Sequence, residues 1–315
     1  MILFCGIPTE PPLAMAIAAA EAANLPHVIF NQREAGFADL LLEHRNGCWD
    51  GTLWCQETVW PLSAFTGIYA RLTDHTTLPE NLPQRRKTAD PPTLAQAQSH
   101  SAFLHHALME WIEMAPCRVL NRAEAMASNG SKPYQAQHII RAGFLTPPTL
   151  VTNDPALALD FARQHARLIY KSTSSIRSIV REFDPAQKTD LARIRSLPTQ
   201  FQARIDGTNI RVHVVGESVF ATGIVSLAVD YRYAQRDDLE VAMRALDLPV
   251  DVAARCVQLS KALDLPFCGI DLMRTPDDEY YCFEVNPSPA YSYFELESGQ
   301  PIAQAVVGYL SNAAP

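Results

Sequence analysis

The chain has 315 residues, of which 48% are hydrophobic and 19% charged, a globular composition with material for two or three compact units. It has no apolar run long enough to cross a bilayer, and Met1-Ile2-Leu3-Phe4-Cys5-Gly6 lacks a basic n-region, so a soluble cytoplasmic protein without membrane partners is expected. A net charge of −8, with no basic block beyond Arg85-Arg86-Lys87, excludes a surface that tracks polyphosphate and makes nucleic acid a poor partner.

An apolar strand over 2–7, an alanine-rich helix over 13–23 and a second apolar run over 27–30 form the βαβ pattern of a parallel sheet. Residues 67–72 read as a further strand. Pro79, Pro83, Pro91 and Pro92 then mark a polar stretch that should not form regular structure, the first candidate boundary, before a helix over 94–114. Trp49, Trp54 and Trp60 lie between these elements and read as core.

Beyond Ser131 the pattern predicts a helix over 132–141 closed by Gly143, and a short strand near Thr149. Asp154-Pro155 and Asp184-Pro185 each place a capping carboxylate before a proline suited to a first helical turn, and 167–172 between them reads as a strand. Residues 210–215 and 218–224 flank Gly216-Glu217 as a hairpin. A helix over 250–263, a second hairpin and a terminal helix near 301–311 complete the chain. The seven cysteines form no Cys-x-x-Cys pair, which argues against both a disulfide framework and a zinc site.

The chemistry concentrates in Phe267-Cys-Gly-Ile-Asp271 through Tyr280-Tyr-Cys-Phe-Glu284-Val-Asn286. Alternation along a strand places Cys282, Glu284 and Asn286 on one face and Tyr281, Phe283 and Val285 on the other. A four-residue loop over 276–279 would pair Thr275 with Tyr280 and set Asp271 opposite Glu284, whereas a one-residue slip would turn Asp271 into the core. Asp271, Glu284 and Asn286 then supply the hard oxygen ligands that magnesium takes. Taken alone, so permissive a spacing reads more readily as polar residues on the wet face of a hairpin.

With Pro287-Ser288-Pro289 after it, this stretch resembles the C-terminal metal-binding signature of the ATP-grasp superfamily, and among its members the RimK-type carboxylate-amine ligases. The resemblance runs in order over roughly 120–300. Ser131-Lys132-Pro-Tyr-Gln-Ala-Gln-His-Ile-Ile-Arg-Ala-Gly143 is similar to the family's opening of the nucleotide-binding region, Leu168-Ile-Tyr-Lys171 to its second-lysine strand, and Phe201-Gln-Ala-Arg204 through Asn209-Ile-Arg211 to its hinge and following hairpin. Asp230-Tyr-Arg232-Tyr resembles a further phosphate-reaching segment. There are three departures. The loop after Lys171 has no glycine, so its hydroxyls and Arg177 would replace a glycine-rich flap; Asn209 stands where relatives often carry a carboxylate; and Ser131 replaces an acid.

The resemblance implies an α/β (α+β) fold, with an N-terminal parallel βαβ pre-ATP-grasp domain over 1–120, a central ATP-grasp lobe over 121–200 and a C-terminal lobe with the metal site over 201–315. It implies that Lys132, Lys171 and Arg177 approach the phosphates, that the backbone of Ala203 and Arg204 holds adenine and that Asn209 holds the ribose. Arg211 and Arg232 would face the reacting phosphoryl group, and Asp271, Glu284 and Asn286 would hold Mg2+ or Mn2+. The implied activity is ATP-dependent coupling of a carboxylate, activated as an acyl phosphate, to an amine, with an amino acid or peptide as substrate. A non-catalytic ATP-binding module and a kinase of the same fold are the alternatives. His213 reads as either a general base or, more readily, a hydrogen-bonded structural histidine, and Arg71 as an acceptor-site candidate. A homodimer is expected from the resemblance.

Overall fold

The computed structural model describes residues 1–45, 47–82, 91–173, 180–184, 191–226 and 241–311. Elements follow in chain order: β1 (Ile2–Gly6), α1 (Pro11–Ala22), β2 (His27–Asn31), β3 (Asp39–Arg45), β4 (Cys48–Cys55), β5 (Thr58–Pro61), β6 (Gly67–Arg71), α2 (Pro91–Met114), β7 (Arg118–Leu120), α3 (Ala123–Met126) and α4 (Lys132–Arg141). Next come β8 (Thr149–Thr152), α5 (Pro155–Gln164), β9 (Leu168–Ser172), β10 (Arg181–Glu182), β11 (Thr199–Ala203), β12 (Thr208–Val215), β13 (Ser218–Ser226) and β14 (Val241–Leu246). The chain closes with α6 (Val250–Ala262), β15 (Phe267–Arg274), β16 (Tyr280–Asn286), α7 (Ser292–Ser298) and α8 (Ile302–Ser311).

The expected βαβ unit forms a parallel sheet of order β2-β1-β6-β7. One face packs on α2 through Leu104, Leu108, Trp111 and Ile112, the other on α1 and α8 through Leu13, Ile17, Ile302, Val306 and Leu310. The C-terminal helix thus returns to the first sheet. Pro91 and Pro92, expected to interrupt structure, instead open α2: proline tolerates a first turn, where an N–H would have no helical acceptor.

The antiparallel sheet β3-β4-β5 has no counterpart in the elements expected from sequence. A two-residue connection at 56–57 joins β4 to β5. Gln56 and Glu57 both adopt positive φ (52° and 58°), a primed turn made without the Asn-Gly signature that reveals such turns. The core reading of the tryptophans holds for Trp60, packed on the first core, but Trp49 and Trp54 are exposed at 52% and 37%.

The nucleotide-binding region expected from the resemblance contains two antiparallel sheets, β10-β9-β11-β8 and β14-β13-β12-β15-β16. Asp154 caps α5 as expected, accepting from Ala156 N at 2.8 Å, while the Asp184-Pro185 helix start falls outside the described residues. In the five-stranded sheet Ile210, Val212, Val214, Ile270 and Leu272 enter one core with α6, leaving the opposite face for polar side chains. Among the described residues no helix is long and apolar enough to cross a membrane.

Candidate active site

Three adjacent strands place Arg211, Asp271 and Glu284 in one row across the sheet: β12 pairs Arg211 with Asp271, and β15 pairs Asp271 with Glu284. The expected opposition of Asp271 and Glu284 therefore occurs, but by another route. Thr275 does not pair with Tyr280. It closes a longer loop through Glu279, and the ladder begins at Arg274–Tyr280, one residue out of the expected register. A bulge between Leu272–Cys282 and Asp271–Glu284 absorbs the extra residue, Phe283, and restores the row. It also reverses the side-chain parity beyond it. Cys282 does not share the ligand face; it is buried with Tyr280 and Val285 in the core, where burial raises its thiol pKa.

Cations meet the acids along this row. Arg211 Nη1 donates to Asp271 Oδ1 at 2.6 Å, and Lys132 Nζ to Glu284 Oε2 at 3.0 Å. The Arg211 guanidinium is buried, lies 5.6 Å from the Phe294 ring centroid on α7, and rests over Gly269, where any Cβ would collide with it. Lys132 opens α4, whose Ser131 N-cap accepts from Tyr134 N. Here serine caps the helix in place of the family's acid.

Two side chains that sequence reasoning missed hold this geometry. Gln135, one turn beyond Lys132, donates from Nε2 to Val285 O (2.7 Å) and accepts at Oε1 from Val285 N (3.1 Å). It thereby covers the outer backbone of edge strand β16 and sets Lys132 above Glu284. Asn121 Nδ2 donates to Pro287 O at 2.6 Å, and Asn121 Oδ1 accepts from Phe267 N at 3.1 Å, tying the end of β16 to the start of β15.

Asn286 ends β16 opposite Gly269, its Oδ1 accepting from Ser288 N at 3.0 Å. Asn209 lies two residues before Arg211 on β12. Lys171 and the hinge belong to the four-stranded sheet. Lys171 is buried on interior strand β9 opposite Gln200, not a solvated edge residue. Buried Gln200 and Gln202, alternating with core Phe201, extend that polar face. Their Gln-Phe-Gln alternation was legible. The Ala203 and Arg204 N–H groups already donate, to Pro148 O and Arg167 O (both 2.9 Å), so their carbonyls are what they can offer an adenine. Pro148, lacking an N–H, returns no bond to the Ala203 carbonyl. Arg177 and Arg232 fall outside the described residues.

His213 is fully buried beside Arg211 and stacks edge-on to Phe294 at 5.1 Å. Among the described residues neither ring nitrogen has a hydrogen-bond partner, so the expected hydrogen-bonded structural role is not what the structure shows. Burial, followed by the Arg211 charge, drives its pKa well below the usual value.

Among the described residues no group of three or more His, Cys, Asp or Glu could hold a metal. The candidate set is two carboxylates and one amide oxygen, all hard donors, and the two acids are charge-balanced by Lys132 and Arg211. Such a set fits magnesium or manganese when phosphate oxygens and water complete the shell. A cavity of about 860 Å³ opens by Arg244, Arg255 and Arg274 and includes none of the predicted site residues.

Residues 166–310 match the RimK-like ATP-grasp domain. The chain is 23% identical over 241 residues to human beta-citrylglutamate synthase B, covering 71% of this chain and 60% of that protein. It is 23% identical over 226 residues to a probable alpha-L-glutamate ligase of Shewanella loihica, covering 69% and 74% of the two chains. Among solved structures it resembles the Chryseobacterium gregarium RiPP-associated ATP-grasp ligase in complex with ADP and a leader and core peptide, with a TM-score of 0.79 at 20% identity over 100% of this chain and 97% of that one. It also resembles the ATP-grasp ligase PsnB complexed with minimal precursor, Mg and ADP, with a TM-score of 0.76 at 22% identity over 98% and 97%. The chain therefore has the ATP-grasp fold, with residues 166–310 similar to the RimK-like ATP-grasp domain.

Proposed function

We propose that this protein is an ATP-dependent carboxylate-amine ligase that forms a C–N bond, with an amino acid or a peptide among its substrates. The observation that carries the reading is the row Arg211–Asp271–Glu284 closed by Lys132. It sets two carboxylates and two cations side by side on one sheet face.

A carboxylate cannot be displaced by an amine directly, because its oxygen is a poor leaving group; phosphorylation to an acyl phosphate makes the displacement feasible. Catalysis is then positioning and charge neutralisation. Asp271, Glu284 and Asn286 would hold Mg2+ or Mn2+, which supplies Lewis-acid neutralisation of phosphate charge. Arg211, packed between Gly269 and Phe294, would pair phosphoryl oxygens. Lys132 and Lys171 would neutralise charge beside it, with Arg177 and Arg232 assigned the same work by resemblance. Asn209 would take the ribose, and the Ala203 and Arg204 carbonyls the adenine amino group. His213, buried and held neutral, is not placed to act as general base. We assign the three units 1–120, 121–200 and 201–315 as pre-ATP-grasp domain, central lobe and C-terminal lobe.

The test is phosphate release from magnesium-ATP with pooled amino acids and short peptides, followed by mass spectrometry and controlled by Glu284→Ala. A dehydrated condensation product that disappears with Glu284→Ala supports the reading. A phosphorylated product without condensation replaces it with a kinase, and nucleotide binding without turnover on any pool replaces it with an ATP-binding module.

A further inference from the structure

The parallel sheet has a topological switch point between β1 and β6. From β1 the chain passes through α1 on one face to β2, and from β6 through α2 on the other face to β7. In open α/β sheets, ligands bind in the crevice outside the carboxyl ends of the strands at such a point. A cavity of about 450 Å³ lies there, lined by Ile7 and Glu10 after β1 and by Ala70 to Thr73 at the end of β6. Ser288 also lines it, two residues beyond Asn286 and bonded to it, so the cavity adjoins the row of catalytic candidates. Its size suits a small ligand or one or two residues of a peptide.

The rest of its wall is Met109, Ile112 and Met126 together with Asn121, whose amide is already bonded to Phe267 and Pro287. Among the described residues lining it, Arg71 is the only cation, and that cation is committed. Its Nε and Nη2 grip both Glu10 oxygens (2.9 and 2.6 Å), and its Nη1 donates to Ser288 Oγ at 3.1 Å and Pro289 O at 3.3 Å. An incoming carboxylate would have to displace Glu10, which is tethered in place, and would then lie beside an uncompensated Glu10 charge. Glu10 is thus a repulsive element against acidic ligands.

Resting on the ligase reading, we infer that this cleft selects a substrate with an uncharged, largely apolar side chain and rejects acidic amino acids such as the glutamate in its relatives' names.

Equilibrium binding by calorimetry, with the full chain, magnesium and a non-hydrolysable ATP analogue, separates this inference from the ligase reading. The probes are length-matched N- and C-blocked dipeptides carrying Leu, Met or Glu. At least tenfold tighter binding of the Leu and Met probes is expected. Glu10→Gln, which weakens the competing grip on Arg71, should bring the Glu probe at least tenfold closer to the Leu probe. Met109→Lys, which adds a cation on the half-buried face of α2, should act in the same direction. Tighter binding of the Glu probe to the wild type, binding of no probe, or an unchanged ratio in both folded variants would overturn the inference. Preference for the apolar probes, combined with no condensation product from the pooled unblocked amino acids and peptides with magnesium-ATP, would sink the ligase reading alone.

Discussion

Gly269→Ala adds one methyl group to a strand that does not require glycine's conformational freedom, yet it strikes the side chain on which the proposed chemistry depends. The new Cβ would stand 2.2 Å from Arg211 Nη2, 2.5 Å from Cζ and 2.8 Å from Nε. Ordinary contact needs about 3.5 Å, so the guanidinium must shift by about 1 Å. It cannot simply swing into solvent, because it is buried, bonded to Asp271 and covered by Phe294. A misplacement of about 1 Å at a catalytic group costs on the order of 100-fold in rate, equivalent to about 2.7 kcal/mol of barrier. Overpacking should cost about 1–3 kcal/mol of stability, a fall in Tm of several degrees without unfolding. Single-turnover phosphate transfer and thermal unfolding would be measured on wild type, Gly269→Ala and Arg211→Ala. If Gly269→Ala stays within threefold of wild type while Arg211→Ala loses its rate, the placement of Arg211 over Gly269 is irrelevant and the reasoning is wrong.

Gln135→Leu should behave as a structural lesion, because it leaves the Val285 N–H and C=O without partners. About 2–4 kcal/mol of stability should be lost in denaturant unfolding, together with turnover. Lys132→Met should lose turnover but less than about 1 kcal/mol, because its ion pair with Glu284 is partly solvated; equal destabilisation by the two would refute the division of labour. His213 gives a pH signature. Its folded-state pKa is depressed, so above the unfolded value of about 6.5 it contributes no pH dependence. As pH falls below that value the unfolded chain takes up a proton that the folded chain refuses, and stability falls. Between pH 7.5 and 5.5 the wild type should lose about 1.4 kcal/mol more than His213→Phe, and equal acid sensitivity of the two proteins would show that His213 protonates in place.

Sequence by itself determined the elements whose signals are local. The βαβ start, the Asp154 cap and the Gly216 hairpin all follow from hydrophobic period and turn chemistry, which neighbouring residues specify. It also nominated candidate site residues, because acids and cations in a fixed order resemble those of a known family. Tertiary structure alone decided the rest. Whether Asp271 faces Glu284 depended on a register slip and a compensating bulge, which no single-strand pattern encodes, and the same bulge sent Cys282 to the core. The sheet β3-β4-β5 went unseen because its 56–57 turn uses Gln and Glu at positive φ. Gln135, Asn121 and Gly269 act through partners about 150, 146 and 58 positions away in the chain. Their roles become physical only when packing removes water and leaves each polar group dependent on the partner that the fold brings to it.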